Sequence, residues 1–186
     1  MIHIYEGDGK GKTTAAAGLA LRAAGHGIPV IFAQFMKDGS SGEIQALGSF
    51  LGVRIVIADR FYGFASRMTQ DEKAEIRESY GRLLRSVLEM ACEAADDTET
   101  EAESGETCDC RCLVVLDEVL YALKYGLLAE EELLCLMERI PQGVELILTG
   151  RDPSHAVAGR ADYITHIGKI KHPYDRGTPA RKGVEF

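Results

Sequence analysis

Three closely spaced glycines followed by lysine and threonine near the start of the chain have the chemistry of a phosphate site. The stretch is Glu6-Gly-Asp-Gly-Lys-Gly-Lys-Thr-Thr14. Gly7, Gly9 and Gly11 let successive backbone N–H groups turn toward an anion, with Asp8 and Lys10 between them. Lys12 would neutralise phosphate charge, Lys10 adds a second cation, and the Thr13 hydroxyl, followed by Thr14, would ligate Mg2+. Gly11, Lys12 and Thr13 fill the end of the pattern G-x-x-x-x-G-K-[ST], but Glu6 stands where that pattern begins with glycine.

Two further groups could complete such a site. Asp117-Glu118 follow the apolar run Leu113–Leu116, and carboxylates at that position would sit near a metal, directly or through water. Thr149-Gly150-Arg151 also close an apolar run, and an arginine there can offer a forked donor set to phosphate.

These residues need elements to position them. Ile2–Tyr5 reads as a strand entering the glycine loop, and Thr13–Ala24, rich in Ala and Leu, as the helix leaving it. That context separates a phosphate loop from a glycine-rich turn with surface lysines. Further strands are expected at Pro29–Phe35, Val53–Ala58, Leu113–Leu116, Val144–Thr149 and Tyr163–Ile167. Helices are expected at Glu43–Leu51, from Thr69 onward, and at Glu130–Arg139. Thr69-Gln-Asp-Glu72 has the form of a capping box. The tail from Lys169 reads as extended. Continuous Val/Ile/Leu strands joined through helices predict an α/β fold, a mostly parallel sheet covered on both faces. Ligands in such sheets bind beyond the carboxyl ends of the strands.

The 186 residues are enough for one domain with a full core. A formal net charge of −8 argues against a nucleic-acid partner. Most of that charge sits in one segment, since residues 93–106 carry seven acidic side chains and no basic one. We expect a mobile loop there, with the Cys-containing insertion spanning residues 93–112, because it has little apolar area to offset its ordering entropy. The chain enters a strand at once, without the basic and apolar regions of a signal peptide, and has no run long enough to span a bilayer, which predicts a cytoplasmic protein. Five cysteines, three of them in Cys108-Asp-Cys110-Arg-Cys112, lack the paired C-x2-4-C spacing of a zinc site and read as reduced thiols.

Several stretches together resemble the P-loop ATP:corrinoid adenosyltransferases. They are GDGKGKTTAAAGLALRAAGHG, QFMKDG, LVVLDEV, LTGR and the tail IKHPYDRGTPARKGVEF. The tail is the most specific of them, and the family also lacks the first glycine of the loop. The resemblance implies a RecA-like P-loop fold and a reaction at the ribose end of ATP. A Co(I) corrinoid attacks the 5′ carbon and intact triphosphate leaves. It implies that Gly7 to Thr13 hold the triphosphate, that Thr13 and Glu118 are metal-associated and that Arg151 contacts phosphate. The family walls off one face of the corrinoid with aromatics. Here Arg60-Phe61-Tyr62-Gly63-Phe64 is the matching region, with Tyr62 and Phe64 as the expected wedge and no tryptophan anywhere in the chain. The resemblance further implies ATP, Mg2+ and a corrinoid as ligands, a reduced flavoprotein as electron donor, and a homodimer. Read from the residues alone, a small P-loop kinase or a non-catalytic nucleotide-binding module remains open.

Overall fold

Alternation within the apolar runs decides the layering. The computed structural model describes residues 1–63, 65–99 and 110–184. Six strands, β1 (Ile2–Glu6), β2 (Val30–Gln34), β3 (Val53–Ile57), β4 (Cys112–Asp117), β5 (Val144–Thr149) and β6 (Tyr163–His166), form one sheet. Their order is β3-β2-β4-β5-β1-β6, and every pairing is parallel. Successive side chains on a strand point to opposite faces. Phe32, Val115 and Ile147 therefore join one core, and Ile31, Val114 and Leu146 the other.

The helices divide between those faces. α1 (Lys12–Gly25) and α2 (Gly42–Leu47) cover the first, where the small residues Ala16, Ala20 and Ala23 let α1 lie close to the sheet. α3 (Gln70–Glu99), α4 (Val119–Lys124) and α5 (Glu130–Arg139) cover the second. A short α6 (His155–Ala158) precedes β6, and Ser154 caps it by accepting from the Val157 amide at 3.2 Å. The capping box at the start of α3 is formed in both directions. The Glu72 amide donates to Thr69 Oγ1 at 3.2 Å, and the Thr69 amide to Glu72 Oε2 at 2.7 Å.

Three local features differ from the sequence expectation. Residues 93–99 are the last turns of α3 rather than part of a loop. The buried stripe Leu83, Leu84, Val87, Leu88, Ala91 continues into Ala94 and Ala95, 8% and 2% exposed. Each large side chain buried on that stripe contributes about 1.5–3 kcal/mol, against tenths of a kcal/mol for repulsion between neighbouring carboxylates. An established helix adds such residues readily. Residues 100–109, including Cys108, lie outside the described residues. α4 was not expected, because it occupies only six residues directly behind the acidic pair. The tail, expected extended, makes a single 3-10 turn at Pro173–Arg176.

All strands being parallel, their carboxyl ends line one edge of the sheet. The glycine loop after β1, Met36-Lys37 after β2, Asp117-Glu118 at the end of β4, Thr149–Arg151 at the end of β5 and Ile167–Lys169 after β6 meet there.

Candidate active site

Asp117 is the centre of this edge. Its side chain is 0% exposed, and an ionised carboxylate in that position must be hydrogen-bonded and paired. Thr13 Oγ1 and Thr149 Oγ1 each donate to Oδ1 at 2.8 Å, while Gln34 Nε2 and Lys37 Nζ donate to Oδ2 at 3.1 and 2.8 Å. Thr149 Oγ1 in turn accepts from the Glu118 amide at 2.8 Å. One carboxylate thus ties the start of α1 to the ends of β2, β4 and β5.

Glu118 sits beside it in a left-handed conformation, φ 62°. Such strain in a residue with a long side chain clusters at functional sites. Its Oε2 is buried with no hydrogen-bond partner. Burial, then the neighbouring Asp117, raises the Glu118 pKa above the ordinary glutamate value.

Lys12 is buried, and its ammonium is folded back onto its own loop, donating to the carbonyls of Gly7 at 2.8 Å and Gly9 at 2.9 Å. Burial lowers its pKa. Gly11 adopts φ 119° at the N-cap of α1, which explains its identity. Gly7 and Gly9 have a further reason to be glycine, because the segment after β6 lies against them. A Cβ on Gly7 would fall 2.5 Å from the Ile167 oxygen, and one on Gly9 2.7 Å from it. The Gly9 N–H donates to that same oxygen at 2.7 Å, so it is turned to the segment after β6 and not to an anion. Asp8 is exposed, and its Oδ1 accepts from the Lys169 amide at 2.8 Å, which holds its carboxyl below the usual range. Lys10 and Thr14 are exposed.

Arg151 reaches the loop from β5. Its Nη2 donates to the Asp8 carbonyl at 3.3 Å, its guanidinium lies 5.6 Å from the Tyr121 ring centroid, and its buried Nε has no partner. An unsatisfied arginine donor next to the loop is suited to phosphate.

Beside Glu118 opens a cleft of about 620 Å³ lined by Met36, Lys37, Phe61, Tyr121 and Tyr125 among others. Tyr121 and Tyr125 are stacked, with centroids 6.0 Å apart. Tyr62 is not on the lining. It packs against the core, and its hydroxyl donates to Glu75 Oε2 at 2.5 Å. Phe64 lies outside the described residues, and among the described aromatics of this segment Phe61 faces the cleft.

The oxygens of Thr13, Asp117 and Glu118 are hard donors of the kind Mg2+ takes, and the orphaned Glu118 Oε2 is consistent with such a cation. Among the described residues no cluster of three His, Cys, Asp or Glu could hold a metal alone. A cation here would share phosphate oxygens, the usual state of Mg2+.

Sequence comparison fits this geometry. The model of the family described as "ATP:corrinoid adenosyltransferase BtuR/CobO/CobP" matches residues 1–186. The chain belongs to the ATP:corrinoid adenosyltransferase family. A corrinoid adenosyltransferase of Pseudomonas aeruginosa is 31% identical over 186 residues, covering 100% of this chain and 83% of that protein. The corrinoid adenosyltransferase CobA of Salmonella typhimurium is 31% identical over 187 residues, 100% of this chain and 85% of that one. The Escherichia coli K12 corrinoid adenosyltransferase is 28% identical, with the same coverage. Among solved structures, EssC (ATPases 2 and 3) from Geobacillus thermodenitrificans superposes with a TM-score of 0.53 at 16% identity. It covers 99% of this chain and 36% of that one, a likeness of fold alone.

Sequence reasoning singled out the glycine loop, Asp117-Glu118 and Arg151, and the structure brings them together at one edge of the sheet. It gave no role to Gln34, Lys37 or Thr149. Polar residues at the ends of apolar strands, as in Phe-Ala-Gln34 and Ile-Leu-Thr149, are the signal that marks them. Tyr121 and Tyr125 lie on the unexpected α4 and its end.

Proposed function

We propose that this enzyme transfers the 5′-deoxyadenosyl group of ATP to the Co(I) centre of a corrinoid substrate and releases triphosphate. Family membership over the whole chain carries this reading, and it is supported by an aromatic-lined cleft that is bordered by Glu118 and by Lys37, which reaches Thr13 and Asp117. The electron pair on Co(I) forms the bond to the 5′ carbon while the bond from that carbon to the triphosphate oxygen breaks. The displaced oxygens gain charge as they leave. Donors fixed in advance at that point are the largest contribution such a site makes to rate. Of the loop from Gly7 to Thr13, the amides other than that of Gly9 supply the cradle, Lys12 leaves its loop carbonyls for phosphate, and the Arg151 donors face the same group. Thr13, Asp117 and Glu118 would hold Mg2+, which when bound neutralises charge on the departing triphosphate. The cleft bordered by Phe61, Tyr121 and Tyr125 takes the macrocycle, its apolar walls excluding water from the cobalt. A reduced flavoprotein donor, a homodimeric state and a cytoplasmic location belong to the same proposal. Among the described residues no helix is long and apolar enough to cross a membrane.

The test is the product. With ATP, Mg2+ and a chemically reduced corrinoid, triphosphate and a light-sensitive alkylcobalt species are expected in equal amounts. Conversion of ATP to ADP alone would identify a phosphotransferase instead.

A further inference from the structure

The chain kinks sharply as it leaves β2. Met36 holds φ at 58°, a conformation that side chains other than glycine avoid. Its amide donates to the Tyr80 hydroxyl at 2.8 Å, and Tyr80, 1% exposed, packs edge-on against Phe35 with centroids 4.9 Å apart. The Phe35 amide donates to the Asp117 carbonyl at 2.9 Å. The kink is therefore fixed from the core. It turns Lys37 back over the end of β4, so that Nζ lies 2.8 Å from Asp117 Oδ2 and 3.4 Å from Thr13 Oγ1.

These are the residues proposed above to hold the divalent cation. We propose that Lys37 is a resident counter-cation that keeps the metal seat formed while it holds no metal, and that the metal displaces it. The inference rests on that placement of the metal. Gln34, Thr13 and Thr149 give Asp117 hydrogen bonds but no charge, and Lys12 is held by loop carbonyls. Lys37 supplies the charge a fully buried carboxylate requires. Lysine suits a displaceable role, because its charge is compact and its stem flexible. The side chain is 30% exposed and borders the cleft, so Nζ can turn away without repacking the core. Glu43 lines the same cleft and offers the displaced ammonium an anionic neighbour. The ammonium stands between Thr13 Oγ1 and Asp117 Oδ2, and a divalent ion drawing on those two oxygens would need its place, so Lys37 opposes metal binding to the empty enzyme. The cation is then taken together with nucleotide, whose phosphates make up the difference.

The experiment uses the full chain without nucleotide and Mn2+ as the probe, an ion that accepts the same oxygen donors. Free Mn2+ is followed by its electron paramagnetic resonance signal, and thermal melting is measured in EDTA and in Mn2+. Lys37→Met should bind Mn2+ about tenfold more tightly than wild type, a usual size for coupling between two sites. It should also melt lower in EDTA and recover in Mn2+. Lys37→Met combined with Asp117→Asn should recover in EDTA and ignore Mn2+. Gln34 Oε1, buried without a partner, can turn to meet the new amide. Equal Mn2+ affinity in wild type and Lys37→Met, or equal melting in EDTA, overturns the proposal. Should Lys37→Met fail to fold without metal, rescue by Mn2+ or by Asp117→Asn supports it, and rescue by neither overturns it. None of these measurements uses turnover, so a wild-type enzyme that made only ADP would remove the adenosyl-transfer reading separately.

Discussion

The amide of Gly9 donates to the carbonyl of Ile167 at 2.7 Å, joining the phosphate loop to the segment that follows β6. Around that bond the Ile167 amide donates to the Glu6 carbonyl at 2.8 Å, His166 Nδ1 pairs with the Glu6 carboxylate, and the Lys169 amide donates to Asp8. The loop is thus bound to the short segment, residues 167–169, that leads from β6 into the tail. That segment is the floor on which the loop is shaped.

Two glycine substitutions separate packing from backbone strain. Gly9→Ala places a Cβ 2.7 Å from the Ile167 oxygen and 2.8 Å from the Gly168 oxygen, both backbone atoms that cannot swing aside. Gly11→Ala meets nothing within 4 Å but must hold φ 119°. Each should cost about 1–3 kcal/mol of stability, the first from overpacking and the second from strain. Only Gly9→Ala should expose the segment beyond Ile167 to limited proteolysis. Equal cleavage in the two variants would show that the tail is not seated on Gly9.

Asp8 holds that segment through one acceptor oxygen, and asparagine keeps such an oxygen where alanine does not. Asp8→Asn should therefore bind ATP like wild type. Asp8→Ala should raise KM for ATP a few-fold and speed exchange of the Lys169 amide, measured by hydrogen exchange. Loss of affinity in both variants would mean that the charge matters and not the tether.

The parallel sheet was legible in the sequence because the strands are continuous apolar runs that alternate between two buried faces, as Ile31 and Phe32 do. The site was legible wherever one local stretch carried the chemistry, as Gly7 to Thr13 do. What escaped were relationships between distant stretches. Nothing local to Gly9 announces Ile167, and nothing local to Lys37 announces Asp117, since both pairs depend on which strand ends the topology brings together. The helical extent of α3 escaped for another reason. Composition weighs all residues of 93–99 equally, whereas the fold uses Ala94 and Ala95 on one stripe and leaves Glu93 and Asp96 to solvent.

Glu118 illustrates a site kept unstable for use. Its native pKa is raised by burial and by Asp117, so between the usual glutamate value and that raised value the native state binds more protons than the unfolded chain. The contribution of Glu118 to stability thus declines as pH rises through that window and levels off above it. Glu118→Gln has no charge to bury and should lack this slope. Without nucleotide it should be about 1 kcal/mol more stable than wild type above the window, the usual scale of a single stabilising substitution. Below the window the two should converge. Denaturant melts at pH values on either side check this, and adenosyl transfer should fall sharply in the same variant. A variant less stable than wild type above the window would mean that Glu118 is a structural partner.

Phe61 carries the last prediction, which bears on how the cleft treats its substrate. Its ring is 44% exposed and lines the cleft together with Tyr121, while Tyr62 beside it is tied to Glu75. If the aromatics of this segment displace an axial ligand from cobalt and so ease its reduction, Phe61→Ala should depress turnover of Co(II) corrinoid with a mild donor far more than turnover of pre-reduced Co(I). Tyr62→Phe should leave both rates within a few-fold of wild type, because its hydroxyl is engaged outside the cleft. Stability should change little in Phe61→Ala, since a half-exposed ring buries only part of its area. Equal losses in the two assays would make Phe61 a contact for binding alone. A larger effect from Tyr62→Phe than from Phe61→Ala would move the wedge to the neighbouring residue.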